Sequence, residues 1–149
     1  MGVNALYIYV GIVTALILAP SPTGAENTKQ SLRVIDGDTI VINNTRHRFS
    51  GIDAPEKNQH CLRPKVIRWA CGKAATEALK IFLENRAVSC LSTGKDRFKR
   101  FLSTCFTGPI NINAWIVRNG WALAYRHYSK KYVNEENLAR SNMTGIWSS

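Results

Sequence analysis

Apolar and polar positions change rhythm several times along the chain, and each change marks an element. Thr39-Ile40-Val41-Ile42 is β-branched throughout and predicts a strand; Asn43-Asn44 after it reads as a tight hairpin turn. Three strands then fill residues 31–53, the last carrying Arg48 up to Asp53. Gly37 allows a turn between Asp36 and Asp38 that a Cβ would strain. Pro55 fixes the backbone that follows and biases Ala54 towards an extended shape. Residues 57–70, with Cys61-Leu62-Arg63-Pro64, read as a loop. At Cys71 the period becomes helical: Ala75, Ala78, Leu79 and Phe82 form one stripe of a helix over 71–83, with Lys and Glu off it. Residues 87–91 and 101–106 predict two strands joined by a polar loop over 92–99. A short helix over 111–118 ends near Asn119-Gly120. A last helix covers 133–142, with Gly145-Ile146-Trp147 packed on its end. Trp115, Trp121 and Trp147 read as core. About five strands and three helices in this order predict a mainly β protein with appended helices (α+β), built on a small barrel.

Residues 1–25 carry no charged side chain. The apolar run from Ala5 to Ala19, then Pro20-Ser21-Pro22 and the small residues Thr23-Gly24-Ala25, read as a secretory signal cleaved after Ala25. The run falls short of the ~20 residues a spanning helix needs. No Lys or Arg precedes it, which keeps an uncleaved N-terminal anchor as the alternative. Either way export is expected, to the periplasm or the medium, with residues 26–149 as the one functional domain.

Charge then narrows the partner. Twenty Lys plus Arg against ten Asp plus Glu give a net charge of +10, and this excess suits a polyanion, nucleic acid before an anionic membrane. The four cysteines, Cys61, Cys71, Cys90 and Cys105, are an even set in an exported small domain and favour disulfides. Of the three pairings, Cys61–Cys71 and Cys90–Cys105 are preferred: the first clamps the segment before a helix, the second cross-links neighbouring strands. Zinc fits poorly, because the chain has no Cys-x-x-Cys pair.

Four carboxylates, Asp36, Asp38, Asp53 and Glu56, fall in one short run of this basic chain, with Arg48 among them. Asp38, Asp53 and Glu56 are expected to converge at one end of the sheet. Carboxylates that close repel one another, so arginine or a metal ion must compensate them. Asp36, beside Gly37, reads as a turn cap.

Val34-Ile35-Asp36-Gly37-Asp38-Thr39, followed by Arg48, Asp53 and Ala54-Pro55-Glu56, resembles the staphylococcal (thermo)nuclease family. The likeness continues through Asp96-Arg97-Phe98-Lys99-Arg100 and Val117-Arg118-Asn119-Gly120-Trp121-Ala122, and covers roughly residues 31–148. It implies a five-stranded OB-type barrel and a nuclease that hydrolyses phosphodiester bonds in DNA, with RNA as a further candidate substrate. It implies Ca²⁺ held by Asp38, Asp53 and the Ala54 carbonyl, a hard oxygen set. Glu56 matches the residue that orients or deprotonates the attacking water; Arg48 and Arg100 match the pair that grips the phosphate, for which a planar, always charged fork is suited. Phe98 and Tyr125, with Tyr128, are candidate base-packing rings.

The family commonly has Asp-x-Tyr-Gly-Arg where this chain has Asp96-Arg97-Phe98-Lys99-Arg100. Phe98 keeps a ring without the hydroxyl, and Lys99 in place of glycine is expected to disturb the turn that aims Arg100. His47, His60 and His127 receive no catalytic role. A monomer with no obligate protein partner is expected. The rivals are a catalytically impaired nucleic-acid-binding barrel and a surface-anchored basic interaction protein. A pure binder needs the arginines and not the carboxylates.

Overall fold

β1 (Leu32–Asp36), β2 (Thr39–Ile42) and β3 (Thr45–Phe49) form an antiparallel meander in the computed structural model, which describes residues 30–148. The signal or anchor expected over 1–25 lies outside the described residues. Asn43 and Asn44 both take positive φ, 46° and 65°. That is the hairpin turn whose twist matches its strands, and Asn tolerates it best after Gly. At the other end of β2, Gly37 does not take a positive φ among the positions found there. Its constraint is space: a Cβ would lie 2.7 Å from the Ala54 Cβ and 3.2 Å from that of Ala75.

Ile52–Asp53 is β4. The segment expected as a loop over 57–70 contains two short strands, β5 (Cys61–Arg63) and β6 (Ile67–Trp69), paired with each other. Their residues lack an alternating pattern because neither face is covered by the core, so the periodicity that marks a half-buried strand is missing. α1 runs over Cys71–Leu83, with Ala75, Leu79 and Leu83 buried along its inner face. β7 (Ser89–Lys95) extends into the expected polar loop, because β8 (Phe101–Thr107) pairs with it up to Lys95↔Phe101. The turn between them is confined to the residues around Asp96–Arg100.

β9 (Ile110–Asn111) returns against β8, and α2 (Ile112–Arg118) follows, its N-terminus capped by the Asn111 side chain accepting from the Ala114 N–H at 3.1 Å. β10 (Leu123–Ala124) pairs with β4, and α3 (Val133–Ser141) closes the chain with a short 3₁₀ turn at Gly145–Trp147. The main sheet has the order β1-β2-β3-β8-β7 with β3 parallel to β8. Ile40, Phe49 and Ile52 from the strands meet Leu79, Ile112, Ile116 and Val117 from the helices in one core. Each such side chain contributes about 1.5–3 kcal/mol on burial. Asn113, buried in that core, spends its amide on Ser50 and Ser103 carbonyls and accepts from the Cys105 N–H, which ties α2 to the end of β3.

Both preferred disulfides are present, Cys61–Cys71 and Cys90–Cys105, the second joining directly opposed residues of β7 and β8. The tryptophans are only half-buried: Trp115 stacks on Phe82 with ring centres 3.8 Å apart, and Trp147 lies under the Arg140 guanidinium. No described helix is long and apolar enough to cross a membrane.

Candidate active site

The bend at Gly37 leads Asp38 into the start of β2, and Arg48 stands near the end of β3 directly across from Thr39. The Ser50-Gly51 turn then brings Asp53 back on β4. Arg48 therefore lies between the two aspartates. Its Nη1 donates to Asp38 Oδ1 at 2.5 Å and its Nη2 to Asp53 Oδ1 at 2.7 Å. Asp38 is 2% exposed and also accepts from the Thr39 hydroxyl and, on its second oxygen, from the Ala54 N–H at 3.0 Å. Asp36 stays outside this set as a turn cap, accepting from the Asp38 N–H at 3.0 Å.

Burial dominates the charge state of Asp38. Desolvation, with help from nearby Asp36, pushes its carboxyl up to about 7 although Arg48, Ala54 and Thr39 all favour the ionised form. Burial alone would lower the Arg48 guanidinium, but Asp38, Asp53 and Asp36 outweigh it and hold it above its ordinary value. A buried acid that one guanidinium does not fully compensate is a site with room for more positive charge.

The β7–β8 turn lines the same cleft as Arg48. Asp96 organises it: its Oδ1 accepts from the Phe98 and Arg100 N–H groups at 2.9 and 3.0 Å, and its Oδ2 accepts from Arg100 Nε at 2.7 Å. Burial would raise the Asp96 carboxyl, yet these bonds and the Arg100 charge hold it below the usual range. Lys99 takes φ = 62°, so the turn forms without the glycine, at the cost of a left-handed side chain, about 1 kcal/mol. With Nε fastened, Arg100 keeps its terminal nitrogens for a ligand. Phe98 is exposed, and the Arg97 and Arg100 guanidinium carbons lie 4.8 and 5.3 Å from its ring centre.

Arg48, Glu56, Phe98, Arg100, Tyr125 and Tyr128 all line one cleft of about 1130 Å³. Tyr125 and Tyr128 pack edge to face at 4.8 Å on the segment after β10. The convergence expected of three acids is narrower than foreseen. Among the described residues, the only three candidate metal ligands within 4.8 Å of one another are His47, Cys90 and Cys105, and the two cysteines are already bonded to each other. Asp38 and Asp53 meet through Arg48, while Glu56 stands on the cleft wall. His47 hydrogen-bonds the Ser103 hydroxyl at 2.9 Å, and burial lowers its ring's proton affinity. His60 and His127 are exposed.

Residues 46–149 match the family model described as staphylococcal nuclease homologue. The chain belongs to the staphylococcal nuclease family. The α+β architecture of its described residues, one main sheet with three α-helices, is the OB-type fold of that family. It is 35% identical over 139 residues to Succinoglycan biosynthesis protein ExoI of Rhizobium meliloti (strain 1021), covering 91% of this chain and 73% of that protein. It is 30% identical over 163 residues to Micrococcal nuclease of Shigella flexneri, covering 97% and 88%. It is 30% identical over 134 residues to Thermonuclease of Staphylococcus hyicus, covering 83% and 77%.

Sequence reasoning missed two positioning residues of this nuclease homologue. Gln59 brackets Glu56: its side-chain oxygen accepts from the Glu56 N–H at 3.1 Å and its own N–H donates to the Glu56 carbonyl at 2.7 Å. The signal was present as a Glu-x-x-Gln spacing, in which the fourth side chain reaches back to the first N–H. Glu136, buried on α3, accepts from Arg126, Arg140 and the Ala124 N–H and so holds the segment that carries Tyr125. The Glu136–Arg140 spacing on α3 is a local i,i+4 pair, but nothing in the sequence marks the Arg126 and Ala124 contacts, which come from the segment after β10 and from β10 itself.

Proposed function

We propose that this phosphodiester hydrolase is an exported, calcium-dependent nuclease of DNA, with RNA as a further substrate. The observation that carries the reading is Arg48 spanning Asp38 and Asp53 while lining the same cleft as Arg100 and Glu56. A nucleic-acid binder gains from the arginines, whereas acids in a polyanion site only repel its ligand. Acids are useful there when a cation or an attacking water must be held.

The donor set fits a hard cation. Asp38, Asp53 and the Ala54 carbonyl would hold it, with oxygen donors throughout. Burial at Asp38 supplies the unmet demand for positive charge. Bound there, a divalent ion adds Lewis-acid stabilisation of the charge on the phosphoryl oxygens. Glu56 orients a water and takes its proton as the new O–P bond forms. Arg48 uses the N–H groups not spent on the aspartates, and Arg100 its terminal nitrogens, to donate to the non-bridging oxygens while charge builds there. The old P–O bond breaks and its oxygen takes a proton from solvent. Phe98 and Tyr125 flank the phosphate site as faces for the bases.

Two disulfides in a domain of this size support an oxidising compartment, the periplasm or the medium. The test is digestion of supercoiled plasmid by the mature protein with Ca²⁺ and with a chelator. Nicking and linearisation with Ca²⁺ alone are expected. Glu56→Gln should slow digestion by roughly a hundredfold, the usual size of general-base help, while DNA binding is kept. A protein that binds and never cuts with Ca²⁺ is instead the impaired barrel.

A further inference from the structure

We propose that the β5–β6 hairpin is a nucleic-acid arm that grips the phosphate backbone of a double-stranded substrate beside the cleft. The inference rests on the nuclease reading above and extends it from the scissile phosphate to the neighbouring duplex. Residues 57–73 contain Lys57, Arg63, Lys65, Arg68 and Lys73 and no Asp or Glu. β5 and β6 pair only with each other, so the hairpin stands apart from the main sheet. Arg63 and Arg68 are exposed, as are Leu62, Val66 and Ile67 at 66%, 78% and 56%. A local excess of cations free of acids is complementary to a polyanion.

The hairpin's root selects which polyanion. Cys61, its first residue, is bonded to Cys71 at the start of α1. Gly72 then packs against the Glu56 backbone so closely that a Cβ would sit 1.7 Å from the Glu56 carbonyl oxygen, and its N–H donates to the Gln59 carbonyl at 3.1 Å. The arm is therefore in fixed register with the residue assigned to the attacking water. A membrane-binding hairpin has no need of that register; an arm that holds the strand being cut does.

Its chemistry favours a duplex over a single strand. Proteins that bind single strands stack bases on exposed aromatic rings. The hairpin's only ring, Trp69, is covered by the Arg63 guanidinium at 4.5 Å from its centre. What remains outward are cations and aliphatic side chains, which suit phosphates and the sugar wall of a groove.

The test uses the full oxidised protein carrying Arg63→Gln and Arg68→Gln, with a control carrying Arg33→Gln and Lys80→Gln, two exposed cations outside the hairpin. Substrates are a long DNA duplex and bis(p-nitrophenyl) phosphate. The expected result is a fall of about fivefold or more in the duplex-to-small-diester ratio of kcat/KM. The log–log salt slope of duplex binding should also drop by about 1.8, since each lost phosphate contact removes about 0.9. The control should move neither quantity as far. Equal effects in both variants, or an unchanged salt slope, would overturn the arm. So would a hairpin variant that loses binding to anionic phosphatidylglycerol vesicles while its duplex binding is intact. A parent that cuts neither substrate sinks the nuclease reading instead, and duplex binding by fluorescence anisotropy still decides the arm.

Discussion

Gln59 holds the backbone of Glu56 from both sides, donating to its carbonyl at 2.7 Å and accepting from its N–H at 3.1 Å. Gln59 is in turn held by Gly72, whose N–H donates to its carbonyl at 3.1 Å, next to the Cys61–Cys71 disulfide. Placement of the candidate base is thus delegated to an exposed glutamine and a disulfide, both outside the cleft lining.

Removing that bracket should act on turnover. Gln59→Leu loses the acceptor for the Glu56 N–H, and the expected result is a kcat for DNA lower by about tenfold, within the range that misplacing a catalytic group costs. KM should stay within about twofold, and stability should fall by about 1 kcal/mol, the worth of one ordinary hydrogen bond. A stability loss with unchanged kcat would show that Glu56 needs no positioning.

The pH dependence of the ion-free protein follows from Asp38. Its folded pKa of about 7 lies above the ordinary 3.8, so the folded state holds the proton longer than the unfolded chain does. Stability from this group is therefore full below about pH 4 and declines as pH rises towards 7. In chelator, Asp38→Asn should gain on the parent by up to a few kcal/mol between pH 5 and pH 8, measured by denaturant titration. Ca²⁺ at pH 8 should reverse the order by stabilising only the parent. A pH-independent difference between the two proteins would rule out the buried acid.

The two disulfides should separate stability from activity. Cys90–Cys105 spans 15 residues and ties strands already paired, so its removal as a double Ser variant should cost about 3 kcal/mol and leave the rate of cutting by the folded fraction nearly intact. Removing Cys61–Cys71 the same way should cost slightly less stability and slow plasmid digestion more, since this bond roots the segment behind Glu56. The comparison is a urea midpoint beside a digestion rate for each variant.

Lys99 offers a stabilising change. With φ = 62°, glycine there relieves the left-handed strain and loses some chain entropy, for a net gain of up to about 1 kcal/mol. Activity should persist, because Asp96 still fixes Arg100 through Nε and two backbone N–H groups. Asp96→Ala should do the reverse and slow cutting by about tenfold or more. Equal rates for both variants would mean that Arg100 needs no anchor.

Much of this protein is local in origin, and the sequence by itself determined that part. The Thr39–Ile42 strand, the Asn43-Asn44 turn and the 71–83 helix follow from β-branching, tolerance of positive φ and an apolar stripe, all readable within a few residues. The disulfide partners and the ordered nuclease motifs were equally legible. Tertiary structure decided the rest. The β5–β6 pair lacks a buried face and so leaves no periodic signal. β7 extends through polar residues because β8 supplies backbone partners. Arg48 came to lie between Asp38 and Asp53 through the bend at Gly37 and the return of β4, and burial then set the charge demand of Asp38. Desolvation and ion pairing depend on what surrounds a side chain in space, and chain neighbours do not encode that distance.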